Sequence, residues 1–135
     1  MPEHILDTGP LVGWINRRDQ WHEWSVAAME ALQPPLITCE AIIAEAAWHL
    51  RDNREAVDQL FGLIESGALR IVEILPDHVP HLRALSAKYA QMDFSDAAVV
   101  RLSEIYPRAI VLTTDTKHFS VYRRFRTKRV AMVHP

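Results

Sequence analysis

Four carboxylates stand where a small domain has few structural uses for one. Asp7 stops the apolar run Ile5-Leu6, and Asp115 follows the run Ala109 to Leu112 after Thr113-Thr114. Glu45 interrupts an almost wholly apolar segment, with Ala41, Ile42 and Trp48 as its neighbours at helical offsets. A carboxylate there is expensive unless it is paired or metal-bound. Asp96 opens a helical stretch in Asp93-Phe94-Ser95-Asp96-Ala97. Taken singly, each has a plain structural reading; Asp93 or Ser95, for example, caps a helix whose dipole Asp96 complements. Taken together they conflict, because carboxylates gathered at one sheet edge repel and raise one another's pKa values. A divalent cation resolves that conflict. An all-oxygen donor set suits Mg²⁺ or Mn²⁺, and no Cys/His set at zinc spacing is present. One or two such ions can activate a water and stabilise in-line displacement at phosphorus.

The elements that would position these acids follow from the hydrophobic pattern. Glu3 to Leu6 reads as a buried strand with Asp7 at its C-terminal end, the edge where open parallel α/β sheets carry their ligands. Thr8-Gly9-Pro10 is turn chemistry, with Pro10 suited to the first turn of a helix through Leu11, Val12, Trp14 and Ile15. A second helix carries Trp21, Trp24, Ala28 and Leu32 on one face. Its tryptophans read as core or interface anchors, and His22 as surface. Pro34-Pro35 breaks the chain before a short strand, Leu36-Ile37-Thr38. A helix from about Glu40 to Leu50 follows, capped by Thr38 or Cys39, with Glu40 complementing its dipole. Glu55 to Ser66 is an amphipathic helix that Gly67 ends. Arg70 to Leu75 is a third strand, Asp77 to Gln91 a helix whose His78 and His81 face solvent, Ala109 to Leu112 a fourth strand, and Arg129 to Val133 a last edge strand. Strands and helices alternating at crossover spacings imply an α/β fold, with a mostly parallel sheet and helices on both faces.

With 135 residues, 49% hydrophobic and 24% charged, residues 1–135 are read as a single globular domain. No apolar run is long enough to span a bilayer, and no signal-peptide pattern opens the chain. Cys39 is the single cysteine, so no intrachain disulfide can form and a cytoplasmic setting is expected. The net charge of −2 is unevenly spread. From Arg108 to the end seven basic residues oppose Asp115 alone, a local charge of +6 on a body of −8. Charge alone favours a solvated basic face; a polyanion partner is the other reading.

The same residues carry a resemblance. Ile5-Leu6-Asp7-Thr8, then Leu36-Ile37-Thr38 leading to Glu45, then Asp93-x-x-Asp96-Ala97, then Leu112-Thr113-Thr114-Asp115 with Phe119, resemble in order and separation the PIN-domain ribonucleases. The likeness runs along nearly the whole chain and is greatest to the VapC-type toxins of prokaryotic toxin–antitoxin pairs. It implies a three-layer α/β/α fold and Mg²⁺-dependent endonucleolytic cleavage of RNA, with Mn²⁺ able to substitute. It also implies a homodimer silenced by a small antitoxin protein. Residue by residue, Asp7, Glu45, Asp96 and Asp115 match the family's acidic quartet, and Asp93 matches an extra acid beside the third position. On this reading Asp7 and Asp96 are the main metal ligands and Asp115 completes the site. Glu45 orients the attacking water or holds a second ion. Thr8 and Thr113 support the ligands, and Lys117, Arg123, Arg124 and Arg126 neutralise substrate phosphates. One departure stands out: the family often has Ser after Asp-Thr, where this chain has Gly9-Pro10. That bears on substrate positioning around the first loop.

Other classes fit less well. A receiver-like signalling module would need an acidic pair after the first strand and an acid on a middle strand, and Leu36-Ile37-Thr38 has none. A dehalogenase-type phosphatase would need a second Asp at the position of Gly9. The nearest rival is a PIN-type module that binds RNA or protein without cutting. The expectations to carry forward are that the four acids converge at one end of the sheet, and that apolar load around Trp14 and Trp48 is covered by a second copy.

Overall fold

The computed structural model describes residues 3–135. In chain order the elements are β1 (His4–Leu6), α1 (Thr8–Ile15), α2 (His22–Glu30), β2 (Leu36–Thr38), α3 (Glu40–His49), α4 (Arg54–Glu65) and β3 (Leu69–Ile71). Then come α5 (Val79–Lys88), α6 (Phe94–Ile105), β4 (Ile110–Leu112), α7 (Thr116–Phe119), β5 (Arg123–Arg124), β6 (Lys128–Arg129) and β7 (Met132–Val133). The apolar runs seen in the sequence become the inner strands of a five-stranded sheet, ordered β3-β2-β1-β4-β7 and parallel throughout. Ile5, Leu6, Ile37, Val111 and Leu112 are buried, as both-face burial requires of a parallel sheet covered by helices. The fold is the three-layer α/β/α arrangement expected. The core continues into α3 through Ile42 and Ala46 and into α6 through Val99, Val100 and Leu102.

Several boundaries differ from the sequence reading. Thr8-Gly9-Pro10 is not a free turn but the first turn of α1, with Asp7 at its N-cap. The third strand, expected to reach Leu75, stops at Ile71 after one further backbone bond from Val72 N–H to the Thr38 carbonyl. Its partner β2 has by then turned into α3, so nothing remains to pair with. Cys39 holds the N-cap position of α3 without a side-chain bond, while the Thr38 hydroxyl donates across to the Leu6 carbonyl at 3.0 Å. His22 is not simply surface: its Nδ1 donates to the Gly13 carbonyl at 2.8 Å and ties α2 to α1. His78 accepts from Arg101 Nε at 3.0 Å, whereas His81 is exposed. Trp14 and Trp24 pack on the core, but Trp48 is 62% exposed with the Arg51 guanidinium 3.8 Å from its ring centre.

The antiparallel pair β5–β6 was not expected. Its turn runs through Phe125 at φ 48° and Arg126 at φ 70°, conformations that Gly or Asn usually supply in hairpins. Two bonds hold this strained turn: Phe125 N–H donates to Glu104 Oε2 at 2.7 Å, and Lys88 Nζ donates to the Arg126 carbonyl at 2.8 Å.

Candidate active site

The chain leaves β1 toward β2 and β3 on one side, then crosses to β4 on the other. The crevice between the C-terminal ends of β1 and β4 is therefore the switch point where open α/β sheets bind ligands. The register pairs Leu6 with Leu112, so Asp7 and Thr113 leave the sheet side by side. The buried Thr113 hydroxyl donates to Asp7 Oδ2 at 2.7 Å and accepts from the Asp115 N–H at 3.0 Å. One hydroxyl thus links the two strand-end acids, although Thr113 and Asp7 lie 106 residues apart in the chain.

The helices bring the rest. Asp93 caps α6 by accepting the Asp96 N–H at 2.8 Å, which fixes the first turn and the Asp96 side chain with it. Asp96 Oδ2 accepts from the Tyr122 hydroxyl at 2.7 Å. Asp115 caps α7, and His118 Nδ1 lies 3.0 Å from both of its carboxylate oxygens. Glu45 enters from α3. Asp7, Glu45, Asp93, Asp96 and Asp115 line one cleft of about 380 Å³ together with Asp19, His49 and His118. No Lys or Arg is among the described residues that line it.

The electrostatics follow from that composition. Burial pushes the Asp7 carboxyl up to about 7, and the Asp96 and Glu45 charges push the same way, against the bonds from Thr113 and the Thr8 N–H. Burial likewise raises Asp96 to about 6; Asp93 and Asp115 add to the rise, while the Tyr122 bond and His118 oppose it. The Tyr122 hydroxyl is held above its ordinary range by burial and by the carboxylate it serves. Among the described residues no ion pair engages Asp7, Glu45 or Asp96.

These donors fit a hard divalent cation in kind. They are oxygens, they are anionic, no Lys or Arg among the described residues compensates them, and the buried Thr8 Oγ1 beside Asp7 has no hydrogen-bond partner. As the side chains stand, no three His, Cys, Asp or Glu groups among the described residues close into a ligand set.

Gly9 explains itself here. A side chain at this position would run into the Thr114 side chain, which fills the space and lines the cleft. The hydroxyl that a serine at position 9 would bring is thus placed there by Thr114 from the other strand end. Gly9→Ala is expected to cost about 1–3 kcal/mol by overpacking. Adding Thr114→Ala should recover most of that loss. A double-mutant cycle by urea denaturation that finds the two losses simply additive would show that the residues do not compete for this space.

The residues predicted from sequence fall into two groups. Asp7, Thr8, Glu45, Asp93, Asp96 and Asp115 line the cleft, and Thr113 stands behind Asp7. The basic residues do not line it. Arg123 Nη1 donates to the carbonyls of Ser120, Val121 and Tyr122, and Arg124 Nη1 donates to those of Ser103 and Pro107. Lys117 and Arg126 are exposed. Sequence reasoning missed Tyr122 and His118. His118 had a signal, three residues after Asp115 in a helical turn. Tyr122 had none, since only the tertiary fold brings it to Asp96.

The chain was compared with known proteins. A family model described as PIN domain matches residues 4–124. No curated protein matches. Among solved structures, the crystal structure of Mycobacterium tuberculosis VapC20, titled a sarcin-ricin loop cleaving toxin, superposes with a TM-score of 0.74 at 14% identity. The match covers 86% of this chain and 94% of that one, and at this identity it speaks for the fold.

Proposed function

The chain belongs to the PIN-domain family, and from that premise we propose that it is a divalent-metal-dependent endoribonuclease of VapC type. The observation that carries the reading is the cleft itself: six carboxylates at the sheet's switch point, no Lys or Arg on its walls, and one carboxyl raised to about 7. When bound between Asp7 and Asp96, with Asp115 and Glu45 in support, Mg²⁺ would supply the charge that lets these acids coexist, acidifies a water and stabilises negative charge on phosphate. The chain's own residues do the rest. Thr113 holds Asp7 by one oxygen and keeps it in register with Asp115. Tyr122 holds Asp96 Oδ2 from the buried side, so that this carboxylate keeps one orientation. His118 does the same for Asp115. Glu45, the acid of the quartet that accepts no hydrogen bond among the described residues, would take a proton from the attacking water.

Incubating the protein with a defined RNA should give internal cuts with Mg²⁺ or Mn²⁺ and none with EDTA. Intact RNA under all metal conditions, with a folded protein, would leave the rival reading of a binding module that does not cut. The toxin assignment belongs to the same proposal. Induced expression should halt growth, and a small protein encoded in the adjacent reading frame should relieve it. We also read the protein as a cytoplasmic homodimer: Trp48 on α3 and Phe61 on α4 are 62% and 54% exposed. A monomer mass by light scattering at micromolar concentration would remove the dimer.

A further inference from the structure

The acidic cleft poses a problem for a polyanion. Among the described residues its walls carry no Lys or Arg, so an RNA strand must find positive charge on the way in or out. Two hollows share a wall with the cleft. One shares His49 and mixes Arg17, Arg18 and Arg54 with Asp52 and Glu55. The other, of about 370 Å³ between the end of α5 and α7, shares Gln91 and His118 and carries Lys88 and Lys117 with no acid. Its floor is apolar, from Tyr89, Tyr122 and the 58% exposed Val121. Lys88 is in turn shared with a third hollow, where Arg126 and the 45% exposed Phe125 lie on the strained β5–β6 turn.

Resting on the RNA-cleaving reading above, we propose that one strand of unpaired RNA leaves the acidic cleft past His118 and runs over the Lys88–Lys117 hollow toward Arg126. The hollow seats a nucleobase that flanks the scissile phosphate. Three observations converge on this path. The three hollows are neighbours, each sharing a lining residue with the next. The change of sign is sharp, from six carboxylates in the cleft to two lysines and no acid in the hollow that follows it. The lining suits a base rather than a bare phosphate, because the exposed Phe125 and the Tyr89 ring offer stacking surface, and exposed Val121 apolar contact, beside the cations. A duplex could not present a splayed base there. The path also gives the Lys88 bond to the Arg126 carbonyl a use: it holds the turn that carries Arg126 against the end of the same hollow. It shifts the phosphate contacts from Arg123 and Arg124, whose guanidinium groups serve backbone carbonyls, to the exposed Lys117 and Arg126.

The test uses a short fluorescein-labelled oligouridylate, with Ca²⁺ in place of Mg²⁺, and measures affinity by anisotropy over a salt series. Lys117→Ala with Arg126→Ala removes two exposed cations whose side chains hold no hydrogen bond among the described residues, so the fold should survive, as a thermal melt will verify. The slope of log affinity against log salt should fall by about 1.4, roughly 0.7 for each lost phosphate contact on a single strand. Arg17→Ala with Arg18→Ala on the other flank should leave that slope unchanged. Unlabelled single-stranded RNA should compete far better than duplex of the same length. An unchanged slope, or equal competition by duplex, in a protein that still cuts RNA would overturn the path and leave the nuclease standing. A wild type that neither binds nor cuts RNA would overturn both. If the lysine and arginine changes weakened binding of polyglutamate but not of RNA, the path would fall in favour of an acidic protein partner.

Discussion

Asp96→Asn is expected to abolish Mg²⁺-dependent RNA cleavage while leaving the fold intact. The fold should survive because the structural duties near this residue lie elsewhere. Asp93 supplies the N-cap of α6 through the backbone N–H of residue 96, which asparagine keeps. Asparagine also retains an oxygen that can accept the Tyr122 hydroxyl bond now made at 2.7 Å. What it removes is a negative charge in a cleft whose proposed cation needs that charge in exchange for lost hydration. Removing a group that merely supports a metal ligand commonly costs 10–100-fold, so loss of a ligand should cost at least about two orders of magnitude in rate. If Asp96 were only a first-turn acid complementing the helix dipole, the change would cost about 0.3–1 kcal/mol of stability and leave activity alone. Two measurements on wild type and mutant decide between these outcomes: a metal-free thermal melt and cleavage with Mg²⁺. Full cleavage by the folded mutant removes Asp96 from the site. A folded, inactive mutant with a weakened Mg²⁺-induced rise in melting temperature assigns it as a ligand.

The strand-end acids were the easiest part of this site to read, and the reason is physical. In a parallel sheet buried on both faces, the inner strands must be unbroken apolar runs. The first polar residues after Leu6 and Leu112 therefore mark the crevice edge by themselves. Glu45 was legible because its helical neighbours are apolar, whereas Asp96, which alone reads as a first-turn acid, was legible only with the other acids and the family pattern Asp93-x-x-Asp96-Ala97. Among the supporting residues Thr113 was legible beside its strand end, but Tyr122 and Thr114 were not, since their partners are far away in the chain. Tyr122 meets Asp96 across 26 positions, and Thr114 fills the space beside Gly9 from the opposite strand end. The β5–β6 hairpin was hidden for another reason: its turn places Phe125 and Arg126 in conformations those residues avoid, and tertiary bonds from Glu104 and Lys88 hold them there. The basic segment misled in the same way. Charge count marked Arg123 and Arg124 as equals of Lys117, yet the fold turns their guanidinium groups onto backbone carbonyls.

Asp7→Asn should stabilise the metal-free protein at pH 8 and remove most of its response to both pH and Mg²⁺. Asp7 is buried, its carboxyl is raised to about 7, and burial is the largest cause. A carboxyl whose folded value lies above its unfolded value favours folding when protonated. Its contribution is complete below the ordinary carboxyl range and is lost as pH rises through about 7. For Asp7 this amounts to roughly 4 kcal/mol between the two limits. Asp96, raised to about 6, acts in the same direction. The metal-free wild type should therefore melt at a higher temperature at pH 5 than at pH 8, by something on the order of ten degrees. Asparagine cannot ionise, keeps an acceptor for Thr113, and so holds the low-pH stability across the range. The mutant should melt above the wild type at pH 5 already, and the gap should widen toward pH 8. Saturating Mg²⁺ should restore the wild type at pH 8, because a cation bound by the ionised acid pulls the equilibrium toward the folded state. The mutant should gain little. Calorimetry at both pH values, with and without Mg²⁺, measures all of this. A mutant less stable than wild type at pH 8 without metal would show that the Asp7 carboxylate is held there by structural bonds such as the one from Thr113. It would no longer count as a charge waiting for a cation.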